Sequence, residues 1–212
     1  MVLADGPIAY WRLGESSGTT AVDTTGNGHT GTYLGGVALG VPAALVGDTN
    51  TAARFNGSNG MVQVPDSAPV RLNGSWSIEF WAKQISYMNT YPGILGKGNP
   101  TTTDGYGIWS DSHGALWFMR DQKISGSGNG ALTTTFRYFV LAYDATSKKL
   151  RWYVNGALAT TTTATLPSSS GTLPFQLGQG YGYFGNNDLD EVALYGAALS
   201  STQVATHFAA GS

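Results

Sequence analysis

The chain has 212 residues, 42% of them hydrophobic, 12% aromatic and only 11% charged, less than half the usual charged share of about 25%. A net charge of −2 and the lack of any basic run exclude phosphate-driven nucleic-acid binding and attraction to an anionic membrane surface. With no Cys there is no disulfide and no thiolate to ligate zinc or act as a nucleophile, and no apolar run approaches the roughly 20 residues of a membrane helix. Thirty glycines and abundant Thr and Ser describe short strands joined by turns, not helices.

Taken in chain order, Met1–Gly6 shows no basic segment followed by an apolar stretch, so no signal peptide is visible. Either the chain is trimmed or it leaves its host without such a signal, as a virion component released by lysis does. Ile8–Leu13 is the first expected strand. Thr51–Phe55 and Met61–Val64 follow, separated by the turn Asn56–Gly60. Trp76–Lys83 alternates: Trp76, Ile78, Phe80 and Ala82 share one face, and Ser77, Glu79, Trp81 and Lys83 the other. Trp11, Trp76 and Phe80 are expected in the core.

Tyr106–Trp109 and Ala115–Arg120 read as a hairpin across Ser110–Gly114. Phe136–Asp144 is nearly devoid of polar residues and is expected to be covered on both faces. Leu150–Val154 alternates and leads into Asn155-Gly156, the pair that suits a type I′ turn. Thr160–Thr165 and Ser168–Ser170 read as exposed strand and loop. Phe175–Leu177 and Leu189–Tyr195 are the last expected strands. One helix is expected over Thr202–Phe208, with Ser200 as N-cap, Gln203 closing a capping box, Leu199 and Val204 as a hydrophobic staple, and Gly211 beyond its end. No linker-like break separates two cores. The expectation is an all-β, two-sheet antiparallel jelly-roll sandwich with one short C-terminal helix, spanning 1–212 as one domain.

Several stretches carry a family likeness. Tyr10-Trp11-Arg12-Leu13-Gly14-Glu15 with Asp23–Gly31, Ala53-Arg54-Phe55-Asn56-Gly57, Trp76–Lys83, Leu150–Gly156, and Leu189-Asp190-Glu191-Val192-Ala193-Leu194-Tyr195 with Ala198-Leu199-Ser200 occur in order along nearly the whole chain. Together they resemble LamG-like jelly-roll domains of the concanavalin A-like lectin/glucanase superfamily. The opening also resembles such modules in phage minor tail proteins. The fold hosts lectins, glycosidases, adhesion modules and structural domains, so function has to be argued from the site.

Three constellations carry chemistry. Asp23-Thr24-Thr25-Gly26-Asn27-Gly28 packs a carboxylate, hydroxyls, an amide and two glycines into six residues, which suits a hard cation such as calcium. It is not an EF-hand, because Leu34 stands where the closing Glu belongs. The resemblance implies a structural calcium held by this loop and the terminal strand, with carboxylates from Asp23 and Asp190 and oxygens from Asn27 and His29, main-chain for His29. The alternative is an Asx-turn in which Asp23 caps backbone amides.

Glycosidases of the superfamily place three alternating carboxylates on one strand. Here Asp188 and Asp190 share a face, Val192 occupies the third position, and Glu191 is expected on the opposite side, so the acid/base set is incomplete. Gly14–Gly18 and Gly180–Gly185 match nucleophile-elbow and dinucleotide patterns but lack the strand–turn–helix context of either. His29, His113 and His207 are too far apart to read as a zinc site. Asn56-Gly57-Ser58 and Asn73-Gly74-Ser75 are glycosylation sequons by pattern.

Finally, Tyr87, Tyr91, Tyr181 and Tyr183 lie in turns with no core assignment, and Trp109 and Asp111 lie near a hairpin end. They are candidates to line a shallow sugar site; packing over sheet edges or against another subunit is the alternative. The expected function is a non-enzymatic recognition module, extracellular or on a virion surface, whose partner is a cell-surface glycan or polysaccharide. The competing expectations are a virion decoration or tail subunit that contacts its neighbours, and a polysaccharide hydrolase or lyase.

Overall fold

The structure is a computed structural model that describes residues 1–169 and 171–212. After a short 3-10 turn at Val2–Asp5, the chain forms β1 (Ala9–Trp11), β2 (Thr20–Ala21), β3 (Gly31–Leu34), β4 (Ala38–Pro42), β5 (Thr51–Asn56) and β6 (Met61–Val64). A second 3-10 turn, Pro69–Arg71, precedes β7 (Trp76–Ser86), β8 (Gly93–Lys97), β9 (Tyr106–Ser110), β10 (Leu116–Arg120), β11 (Lys123–Gly126) and β12 (Arg137–Asp144). Then come β13 (Lys149–Val154), β14 (Ala157–Thr163), β15 (Phe175–Leu177), β16 (Gln179–Gly180), β17 (Tyr183–Phe184), β18 (Asn186–Tyr195) and the helix α1 (Ser201–Gly211).

Two large antiparallel sheets face each other. The first runs β14-β13-β12-β7-β18-β5-β4, with β1 also paired to β18; the second runs β11-β10-β9-β8-β15-β6-β3-β2. A separate ribbon joins β16 to β17. The core between the sheets is aromatic: Trp11 stacks on Phe175 at 5.5 Å and Trp76 meets Phe118 at 5.3 Å, each pair bridging the two sheets. Burying each such side chain contributes roughly 1.5–3 kcal/mol.

The alternation of β7 explains the second cluster. Trp76, Ile78, Phe80 and Ala82 point into the core, as expected. Ser77, Glu79 and Trp81 point outward but are also buried, because α1 lies on that outer face, where Val204 and Leu199 pack with Tyr10, Trp81, Tyr138 and Tyr195. Ser200 caps α1 in the expected capping box with Gln203. The helix runs on to Gly211, three residues past the expected end, so Gly211 is its last residue and not a stop beyond it. Asn155 and Gly156 take positive φ values of 49° and 78° between β13 and β14, as the hairpin reading requires.

β18 departs from simple alternation. Its N-terminal part pairs with β5 through Asn186–Leu189, its C-terminal part pairs with β1 through Val192–Leu194, and the register against β7 slips between Asp190 and Ala193. Glu191 sits in the slip at φ 52°. The bulge turns its side chain to the outer face, where it accepts from the Tyr10 hydroxyl and pairs with Arg12 at 2.8 Å. The sequence expectation that Glu191 points away from Asp188 and Asp190 is therefore corrected: an inserted residue resets the period.

Candidate functional site

α1 covers the first sheet. The outer face of the second sheet carries the aromatic residues that the core does not use. In β9 and β10, Ile108, Leu116 and Phe118 face inward, so Trp109, Trp117 and Met119 face out, and the register pairs Trp109 with Trp117. Ile124 of β11 is paired with Met119 on the same face.

The β16–β17 ribbon lies on this face. Its backbone approaches so closely that a side chain at Gly93 would meet Gly180 N at 1.9 Å, and one at Gly180 would meet Ile108 O at 2.2 Å. Glycine at both positions is a steric requirement. The ribbon turns at Tyr181-Gly182, with φ 54° and 82°. Positive φ at a ring-bearing residue is an outlier, held here by the surrounding contacts.

Four of the sequence candidates thereby converge from three separate segments. Trp109 and Tyr181 stack at 4.8 Å, and Tyr91 stands edge-on to Trp109 at 6.1 Å, Tyr181 at 5.4 Å and Tyr183 at 5.6 Å. Tyr91 and Tyr183 are exposed, and Tyr181 is half-buried. Trp109 is only 5% exposed, so it is the floor beneath Tyr181 and not a free stacking face. Tyr87 lies in the same loop as Tyr91, exposed, its hydroxyl donating to Thr90 O at 2.7 Å. Burial, then the charge of Asp111, raise its phenol pKa.

Asp111 organises the β9–β10 turn. Its Oδ1 accepts from His113 N at 2.8 Å and Ala115 N at 3.0 Å, and its Oδ2 accepts from Trp117 Nε1 at 2.8 Å. Burial works to raise its pKa, but these hydrogen bonds prevail and hold it below the ordinary carboxylate value. Trp117, Met119 and Ile124 complete the lining of a cavity of about 420 Å³ between the rings and β11. Their signal was present in the sequence as the parity opposite to Leu116 and Phe118; it acquires meaning only once the hairpin register places Trp117 beside Trp109.

The residues expected around a cation are arranged differently. Asp23 Oδ1 accepts from Tyr10 N, Thr25 N and Thr25 Oγ1, and Oδ2 accepts from His29 N at 2.9 Å. Asn27 donates its amide to the carbonyls of Pro7 and Ile8, and the His29 carbonyl accepts from Trp11 Nε1. Asp190 accepts from Ala44 N at 2.8 Å on the first sheet's outer side, where burial pushes its carboxyl up to about 7 and leaves Oδ1 without a partner. Among the described residues no three His, Cys, Asp or Glu side chains are grouped to hold a metal ion. Asp23 makes the backbone contacts of a capping turn through Thr25 N and His29 N.

The remaining strand carboxylate, Asp188, is fully buried and paired with Arg54 at 2.7 Å and Lys83 at 3.1 Å. Both sequons are engaged in structure: Asn56 accepts from three successive backbone amides, and the Asn73 side chain is bonded to Ser169 in both directions. Among the described residues no helix is long and apolar enough to cross a membrane.

No curated protein matches the chain by sequence. Among solved structures, it is similar to the receptor binding domain of botulinum neurotoxin C/D mosaic serotype, with a TM-score of 0.72 and 12% identity over 97% of this chain and 51% of that one. It is similar to domain 4 of AbnA, a GH43 extracellular arabinanase from Geobacillus stearothermophilus, solved with arabinotriose, with a TM-score of 0.66 and 20% identity over 94% and 97% of the two chains. A botulinum neurotoxin type C structure, whose described cell entry depends on interaction with two ganglioside molecules, matches at a TM-score of 0.68 and 16% identity over 98% of this chain and 52% of that one. The chain thus spans about half the length of the neurotoxin domains and nearly all of the arabinanase domain. Residues 56–205 match Laminin_G_3, described as concanavalin A-like lectin/glucanases superfamily, and with the two-sheet sandwich in place the chain belongs to that family.

Proposed function

We propose that the chain is a non-enzymatic recognition module that binds a cell-surface glycan or polysaccharide on the outer face of its second sheet, outside the cell or on a virion surface. The observation that carries this reading is the convergence of Tyr91, Trp109, Tyr181 and Tyr183 beside an open cavity, with Tyr181 held at a strained φ by a ribbon seated on glycines. Sugar rings present C–H faces that stack on such aromatic rings. The arabinotriose of the arabinanase domain and the gangliosides of the neurotoxin are in keeping with a saccharide partner for this fold. Recognition without turnover is supported by Asp188, whose carboxylate is committed to Arg54 and Lys83.

A glycan array followed by calorimetric titration of its strongest ligand tests the reading. Aromatic hot spots contribute about 2 kcal/mol or more, or roughly 30-fold in affinity, so Tyr91→Ala and Tyr181→Ala should each weaken binding by at least tenfold. Silence of the folded wild-type chain across a broad array overturns the reading.

A specific observation favours a second reading, a subunit contact of the kind a virion decoration or tail protein makes. Tyr87, Tyr91, Ile124 and Tyr183 are exposed around the cavity, apolar surface that also suits a protein partner. Light scattering distinguishes the two: a stable oligomer dispersed by Tyr91→Ala supports the contact, and a monomer that binds glycan supports the module.

A further inference from the structure

We infer that the platform selects neutral saccharides and rejects acidic ones, and that Asp111 sets this choice. The inference rests on the glycan-binding reading above and names its ligand class. The cavity beside the rings has Tyr91 and Tyr181 on one side, Trp109 as floor, and Trp117, Met119 and Ile124 on the other side. Among the described residues Asp111 is the one charged residue in its lining, with no Lys or Arg beside it; His113, in the same turn, acts on it from outside the lining.

The hydrogen bonds of Asp111 define what it can still do. A carboxylate has about four acceptor positions. Three are taken by His113 N, Ala115 N and Trp117 Nε1, and these same donors keep the group ionised. One position remains, on Oδ2, next to the Trp117 indole. It can accept from a sugar hydroxyl and from nothing that lacks a proton to give. The rings and the aliphatic wall of Met119 and Ile124 bury the C–H faces of the same sugar.

A uronic or sialic acid would bring a second carboxylate against Asp111. Among the described residues no Lys or Arg lines the site to pair with it, so the two carboxylates repel at close range. The neutral uncapped glycan and its acid-capped counterpart are thus separated by one charge in a cavity that already holds one.

The test is an array of matched pairs, each a neutral glycan and the same glycan capped by sialic acid or oxidised to a uronate, read with the intact chain. Neutral members should bind at least tenfold more tightly than their acidic partners. Affinity for neutral members should be flat between about 50 and 500 mM salt, while any residual binding of acidic members should strengthen as salt screens the repulsion. In Asp111→Asn the gap between partners should narrow to a few-fold. Equal or tighter binding of the acidic members overturns this inference and leaves the platform reading intact; silence on both members overturns the platform reading and this inference with it. The wild-type salt dependence decides the matter if Asp111→Asn does not fold.

Discussion

Asp23 shows how one residue type supports two readings until its partners are known. A carboxylate in a loop rich in Thr, Asn and Gly suits a cation or a turn equally. Here both oxygens accept N–H groups, two of them from the buried residues Tyr10 and His29. Asp23→Ala strands those donors at about 1–3 kcal/mol each, so it should destabilise the chain by at least about 2 kcal/mol in urea unfolding. The loss should be the same in calcium and in excess chelator; a calcium-dependent rise in Tm that vanishes in Asp23→Ala would place the ion at this loop instead. Asp190 makes the opposite case, a carboxylate buried with one oxygen unpartnered. Its carboxyl is raised from 3.8 to about 7, chiefly by burial, so the folded state holds its proton more tightly than the unfolded state. That contribution is full below about pH 4 and is lost as pH rises through about 7. Tm measured from pH 4.5 to 7.5 should therefore fall in the wild type, and Asp190→Asn should make this part of the profile shallower, leaving the share of Glu191, whose carboxyl burial raises to about 8.

At the scale of elements, α1 and the β16–β17 ribbon are stabilised by different means. The helix is locally encoded: Ser200 accepts from Gln203 N, and the Gln203 side chain accepts from Ser200 N at 3.0 Å. Ser200→Ala should cost about 1 kcal/mol, seen as a lower denaturation midpoint with an unchanged m-value. The ribbon is held by tertiary contact. Tyr181→Gly removes the strain of a ring-bearing residue at φ 54°, roughly 1–2 kcal/mol, and also removes its stack on Trp109, about 0.5–1.5 kcal/mol. The edge contact with Tyr91 at 5.4 Å is lost as well, so the losses slightly exceed the relief. The expected result is a Tm close to wild type together with loss of glycan binding, which separates the binding role of the ring from its structural one.

At the scale of the whole molecule, His207 ties three distant segments together. From α1 its Nδ1 lies 3.0 Å from Glu79 of β7, and its Nε2 lies 2.7 Å from Asp5 in the N-terminal turn. Only the doubly protonated ring donates to both. Burial works to lower its pKa, but the two carboxylates prevail and hold it above the ordinary value of 6.5. The associated stability is full below pH 6.5 and is lost as pH rises through the folded value. Tm should therefore continue to fall above about pH 7, beyond the window of Asp190, and His207→Asn should reduce that portion without removing it, because burial also raises the Glu191 carboxyl to about 8. On the acid side the sign reverses. Asp66, hydrogen-bonded to Arg71 and Lys97, is held down to about 2, and its contribution is lost as pH falls from 3.8 toward that value. The greatest stability should lie in mildly acidic solution.

What the sequence by itself determined is whatever depends on neighbours in the chain. Period-two alternation placed the faces of β7, Asn155-Gly156 placed a hairpin, and Ser200 with Gln203 placed the start of α1. The order of family-like segments indicated the sandwich. Tertiary structure decided whatever depends on residues far apart. The bulge that turns Glu191 outward needs β1 and β5 to share one strand. The outward face of β7 is buried only because α1 returns to it, and Trp109 is a floor only because the ribbon lies over it. The tyrosines were recognisable as residues without a place in the core, but their convergence was not, because Tyr91 and Tyr181 are brought together by sheet register and not by spacing along the chain. Local rules act over a few residues, whereas a binding site is a meeting of segments, and that meeting exists only after the sheets have paired.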